Sequence, residues 1–227
     1  SSAGTNGTDL TTTLTTQGDI LYRDGSGLAR LAAGTSGQVL QTGGSGANPS
    51  WTNVSSDFVR IVTASGDGTA VLDLDSCFSS TYENYRIIGN IHTSTATNVQ
   101  IRLQNSSNSE VNTEYYYVGY QAVKTSSTQS NDIKTGWNQA QWQPQESVAN
   151  ETAGYGTIIV DVARPFVDSR FTNMQIFYTT YDGGGFRYVH SYCQQRTAAI
   201  MAGFRFYVDS GNITSSSSIS VYGMKNS

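Results

Sequence analysis

From residue 57 onward, apolar and polar side chains alternate with a period of two, and no stretch carries the 3.6-residue period of a helix. In Val99-Gln100-Ile101-Arg102-Leu103-Gln104 the apolar side chains fall on one face and the polar on the other. Phe204, Phe206 and Val208 share a face in the same way, with Arg205 and Tyr207 opposite. Such alternation belongs to strands with one buried face. It predicts strands over Phe58–Thr63, Thr69–Leu74, Asn84–Ile91, Val99–Gln104, Tyr115–Val123, Ile133–Trp142, Tyr155–Val162, Phe171–Thr180, Phe186–Cys193, Ala198–Val208 and Ser218–Tyr222. Turn residues separate them, as in Ser65-Gly66-Asp67-Gly68 and Asn105-Ser106-Ser107-Asn108. Strands at this spacing predict an all-β fold, an antiparallel β-sandwich over residues 56–227 and most simply a jelly roll, with no helix longer than about two turns. Composition agrees, because Thr, Val, Ile and Tyr fit a pleated surface. An aromatic content of 11% also argues against disorder. Charged residues make up 13%, so most of the polar surface must come from Ser, Thr, Asn, Gln and Gly.

The first quarter of the chain reads differently. Residues 1–15 are almost all Ser, Thr, Gly and Asn and predict an extended arm or linker. Over residues 16–55, short apolar clusters alternate with Gly-rich punctuation: Ile20-Leu21-Tyr22, Leu28–Leu31, Gln38-Val39-Leu40 and Pro49-Ser50-Trp51. We expect four short strands here, with Asp24-Gly25 and the Gly43–Gly46 run at the turns. A segment of about 40 residues rarely stabilises itself without disulfides, metal or association. This one has no Cys and no metal-ligand cluster. The missing core must come from other copies or from the following domain. The side chains expected to make that contact are Ile20, Tyr22, Leu28, Leu31, Val39, Leu40 and Trp51, and Trp51 should be buried by a second chain or by the sandwich.

The run Gly18-Asp19-Ile20-Leu21-Tyr22-Arg23-Asp24-Gly25-Ser26-Gly27-Leu28-Ala29-Arg30-Leu31-Ala32-Ala33-Gly34-Thr35-Ser36-Gly37-Gln38-Val39-Leu40 resembles a motif common in bacteriophage tail-fibre and other virion appendage proteins. The likeness covers about 40 residues, from Leu14 to Asn48-Pro49-Ser50-Trp51. It implies a homotrimer in which this module is a collar or joint, attached to other virion proteins through the N-terminal region. It also implies a virion location after assembly in the host bacterial cytoplasm. The ending Ile219-Ser220-Val221-Tyr222-Gly223-Met224-Lys225 is similar to the closing strand of the β-sandwich that often follows the motif. The family supplies no catalytic residues, and we expect a structural or adhesive protein rather than an enzyme. A tail-fibre or receptor-binding module contacting a host glycan or protein comes first. A capsid decoration protein, head fibre or adaptor is the alternative.

Several other functions are disfavoured by what the sequence lacks. Net charge is −4 and the 10 Arg and 3 Lys are scattered singly, so no basic stripe suits nucleic acid. No run approaches 18 apolar residues, so no membrane span is expected. The opening Ser1–Gly7 is polar and unlike a secretory signal, and without an initiator Met it suggests processing or a longer polypeptide. Cys77 and Cys193 can form one bridge between distant strands or remain two buried thiols. His190 and Ser191 are adjacent on a strand, so their side chains diverge and make a poor catalytic pair. Asp73 and Asp75 share a strand face but are too few for Ca²⁺ without other oxygens. Glu110, Glu114, Glu146 and Glu151 sit in polar, loop-like stretches and are expected to be solvated. We expect no cofactor and no metal.

The aromatic residues carry the functional expectation. Tyr115, Tyr116, Tyr117, Tyr120, Trp137, Trp142 and Tyr181 flank polar loops, and aromatics suit wet recognition surfaces. Three successive Tyr on a strand cannot all face one core. The receptor-contact candidates are therefore Tyr115, Tyr116, Tyr117, Trp137, Trp142 and Tyr181, together with the Gly183–Gly185 run. Trimer-interface and core packing are the competing use of the same side chains.

Overall fold

A computed structural model describes residues 10–54, 56–143, 147–148, 156–181 and 185–225. The arm residues 1–9 lie outside that range, as do Glu146, Glu151, Tyr155, Gly183 and Gly184. The chain forms two compact units, residues 1–56 and 57–227.

The first unit holds one helical turn, α1 (Leu10–Thr13), and four strands: β1 (Ile20–Arg23), β2 (Leu28–Leu31), β3 (Gln38–Gln41) and β4 (Ser50–Asn53). They make two separate antiparallel hairpins, β1–β2 and β3–β4. Asp24 closes the first, its carboxylate accepting the Ser26 and Gly27 N–H groups at 2.7 Å each. Asp19 fastens the unit further. Its carboxylate, 1% exposed, accepts N–H groups from Thr15, Thr16 and Ala33 and two from the Arg30 guanidinium. That Arg30 hydrogen bond, above all, holds the Asp19 carboxyl below its ordinary value. No described apolar residue of this unit is buried.

The second unit holds the remaining strands: β5 (Phe58–Ser65), β6 (Val71–Leu74), β7 (Asn84–Ile91), β8 (Thr97–Asn105), β9 (Tyr115–Thr125), β10 (Gln129–Gln139), β11 (Ser147–Val148), β12 (Gly156–Ala163), β13 (Thr172–Tyr181), β14 (Gly185–Gln195), β15 (Met201–Val208) and β16 (Ser218–Met224). All pairings are antiparallel. One sheet runs β10-β9-β14-β13-β12-β7-β16-β5 and the other β11-β8-β15-β6. Their inner faces share one apolar core, so the unit is an antiparallel β-sandwich. Eight and four strands are unequal halves, and the strand orders establish the sandwich without specifying a jelly roll. Among the described residues no helix is long and apolar enough to cross a membrane.

The core follows the sequence alternation. Ile158, Val160 and Val162 of β12 face Tyr85, Ile87 and Ile91 of β7 and Met174, Ile176 and Tyr178 of β13 on the inner side of the long sheet. Val99, Ile101, Leu103, Phe204 and Phe206 answer from the short sheet. Each such side chain taken out of water contributes roughly 1.5–3 kcal/mol. Cys77 and Cys193 are both free and buried, and burial pushes the Cys77 thiol up to about 12.

One expected strand ends early. Ile133–Trp142 was expected to be continuous, but β10 stops at Gln139. The register shifts between Gly136 and Gln139, and Asn138 adopts a left-handed φ of 52°. The chain then crosses to the short sheet, where Trp142 exchanges two backbone hydrogen bonds with Ile101, at 3.0 and 3.1 Å.

Candidate functional site

The two outer faces of the sandwich differ in chemistry. On the short sheet, Asp73 of β6 pairs across to Arg205 of β15, which stands opposite Arg102 of β8. Arg205 Nη2 donates to Asp73 Oδ2 at 2.6 Å, and Glu110 bridges Arg102 and Arg205. The hydrogen bond to Asp73, first, lifts the Arg205 guanidinium above its ordinary value. Glu110 is thus not the solvated loop carboxylate expected from sequence. Burial alone would raise its carboxyl, but the hydrogen bonds from Arg102 and Arg205 outweigh that and hold it low. Asp73 and Asp75 both accept from the Gln104 amide, at 3.2 and 2.8 Å. Among the described residues no group of three His, Cys, Asp or Glu side chains could hold a metal.

The long sheet carries an apolar row on its outer face, beside the Arg86–Asp161 ion pair. Its registers line up Ile133, Tyr120, His190, Phe177, Ile159 and Ile88 in one row across six strands. Val118 and Tyr192 form an adjoining pair, and Tyr188, Phe186 and Tyr181 continue toward the far end. Ile133 is 69% exposed, Phe186 68% and Val118 52%. His190 stacks on Phe177 at 4.2 Å between ring centroids. Ser191 turns inward against Gly119, so the two neighbours diverge as strand alternation requires. β10 itself is exposed on both faces along nearly all its length, so the short sheet does not cover it.

The receptor-contact candidates divide between core and surface. Tyr115, Tyr117 and Trp142 belong to the core. Tyr115 is held there by its hydroxyl, which donates to Val111 O at 2.9 Å and accepts from Leu103 N at 2.8 Å. Trp142 is buried because the chain has already left β10. Tyr116 points the opposite way from its neighbours and meets Trp137 edge-on, with centroids 5.0 Å apart. Trp137 is 75% exposed. Tyr181 lies against Phe186 at 5.0 Å, near the other end of the sheet. The registers put Tyr116 and Phe186 eight strand residues apart on β9, roughly 27 Å at the rise of a strand. The surviving candidates therefore form two clusters rather than one.

The Tyr116–Trp137 end forms a groove of about 390 Å³, and the Tyr181–Phe186 end a wider depression of about 750 Å³. Gly136 is required at the first. A Cβ there would sit 2.2 Å from the Tyr117 ring, so only glycine lets β10 pass over it. Arg196 completes the groove, with its guanidinium 4.1 Å from the Tyr116 centroid and 6.0 Å from that of Trp137. Burial, first, and the Glu114 carboxylate at its hydroxyl hold the Tyr116 phenol above its ordinary value. Sequence reasoning missed Arg196, Tyr192, Tyr188 and Phe186. A signal for the β14 aromatics was present: Phe186, Tyr188, His190 and Tyr192 share one face, opposite Val189, Ser191 and Cys193.

In the first unit, Ile20, Tyr22, Leu31 and Trp51 are half-buried, while Leu28, Val39 and Leu40 are 51%, 45% and 48% exposed. Trp51 rests on Gly34, and its indole N–H donates to Ala32 O at 2.7 Å. No protein-family model, no curated protein and no solved structure matches the chain.

Proposed function

We propose that the chain is a non-catalytic module of a bacteriophage particle that works as a homotrimer, most simply the end of a tail fibre that contacts the host surface. The observation that carries this reading is the apolar surface left open on well-formed strands. It comprises the row from Ile133 to Ile88 and a hairpin unit with no buried apolar residue among those described. Extended exposed apolar surface marks association. The resemblance of the Gly18–Leu40 run to virion appendage motifs makes the N-terminal unit the joint to other virion proteins and the sandwich the head. Trp51 bonds within its own unit yet keeps part of its indole available to a second copy.

The capsid decoration, head-fibre or adaptor reading has one observation in its favour. Tyr115, Tyr117 and Trp142 contribute their aromatic surface to the core and leave fewer side chains for adhesion. Imaging particles labelled on this chain separates the two. Density at a fibre tip supports host contact, and density on the capsid shell supports decoration. A chain absent from purified particles contradicts both.

A further inference from the structure

Building on the reading of this chain as a surface-contacting module, we infer that the Tyr116–Trp137–Arg196 groove binds an acidic saccharide. The sugar ring lies on the Trp137 face and its anionic group on the Arg196 guanidinium. Trp137 offers a flat apolar platform because it is 75% exposed, with Tyr116 packed against it at 82° between ring planes. A pyranose presents a flat C–H face to such a ring and directs its hydroxyls sideways. Thr135 lines the groove with a hydroxyl suited to those hydroxyls, while the Gln194 amide is engaged by Arg196 and Asn173. A volume of about 390 Å³ lies within the range of small-ligand sites, ~300–1,000 Å³.

Arg196 supplies the charge preference. Arg30, Arg86, Arg102, Arg164 and Arg205 each face a carboxylate. Arg196 has no carboxylate partner among the described residues. Its Nε donates to Gln194 Oε1 at 2.6 Å, and its backbone N–H donates to Glu114 O at 2.9 Å. The Nε bond holds the guanidinium over Tyr116, and its two Nη groups have no hydrogen-bond partner among the described residues. A fork held in place suits an anion with two oxygens, at little further ordering cost. The nearby carboxylate of Glu114 is at the Tyr116 hydroxyl and does not line the groove. A bound anion is therefore directed to the Arg196 side.

The test uses the full chain against an immobilised panel of oligosaccharides ending in hexuronic acid, nonulosonic acid or a phosphorylated hexose, each beside its neutral counterpart. Sedimentation is run on the same samples. The inference expects at least one acidic ligand to bind tenfold or more tightly than its neutral counterpart. Arg196→Gln should erase that preference, Trp137→Ala should abolish binding, and Trp137→Phe should retain part of it, all with unchanged assembly. Which acidic series binds tells carboxylate from phosphate. Equal binding of acidic and neutral sugars overturns the assignment to Arg196. No binding by an intact homotrimer overturns the inference and leaves the proposed function standing. Loss of assembly in Trp137→Ala makes the groove a subunit contact and overturns the inference as well. A monomeric chain that binds nothing overturns both.

Discussion

Tyr115 shows how a single hydroxyl decides the use of an aromatic residue. Its phenol accepts from the buried Leu103 N–H and donates to the part-buried Val111 O. Tyr115→Phe keeps the packing and leaves both groups without that partner, so it should cost about 1–3 kcal/mol. Urea denaturation checks this, and an unchanged midpoint would mean that the bonds are replaced. Gly34 makes a comparable point in the first unit. A Cβ there would come within 2.7 Å of the Trp51 indole. Gly34→Ala should therefore displace Trp51, break its bond to Ala32 O and lower the thermal stability of that unit. Tryptophan emission and a melting curve read both effects. Neither constraint was legible in sequence, because each depends on which side chain the fold brings against it.

At the scale of elements, the period-two pattern made the strands legible, since burying one face forces alternation. What it could not reveal is which of two apolar faces is inside. In β14 both faces carry apolar residues, and only the pairing with β9 and β13 turns Phe186, Tyr188 and Tyr192 outward. The end of β10 was also hidden, because the register shift near Asn138 has no compositional mark. The charged ladder on the short sheet gives a prediction at this scale. Glu110 titrates below its ordinary value when folded, so its contribution is fully present above the unfolded value of about 4.3. That contribution is lost as pH falls through the lower folded value. Glu110→Gln should destabilise the sandwich at neutral pH, and the gap to wild type should close on acidification. Denaturant midpoints from pH 7 to 3 test this, and a gap independent of pH would contradict it.

For the whole molecule, the contrast between the outer faces is the main finding. Asp73, Arg205, Glu110 and Arg102 make the short sheet a surface suited to water. Ile133, Val118, Tyr120, Tyr188 and Phe186 make the β10-β9-β14 end of the long sheet a surface suited to a partner. The first unit repeats the imbalance with exposed Leu28, Val39 and Leu40. Its lack of a core was legible as a shortage of apolar residues. The apolar outer row was not, because it exists only after six strands are set side by side. Association through the first unit predicts that Trp51→Ala weakens assembly, read as a mass that falls on dilution at concentrations where wild type holds. The most direct measurement is sedimentation equilibrium of the full chain across a wide concentration range. The account predicts a stable particle of three 24.5 kDa chains, and a folded monomer that persists at high concentration would contradict it.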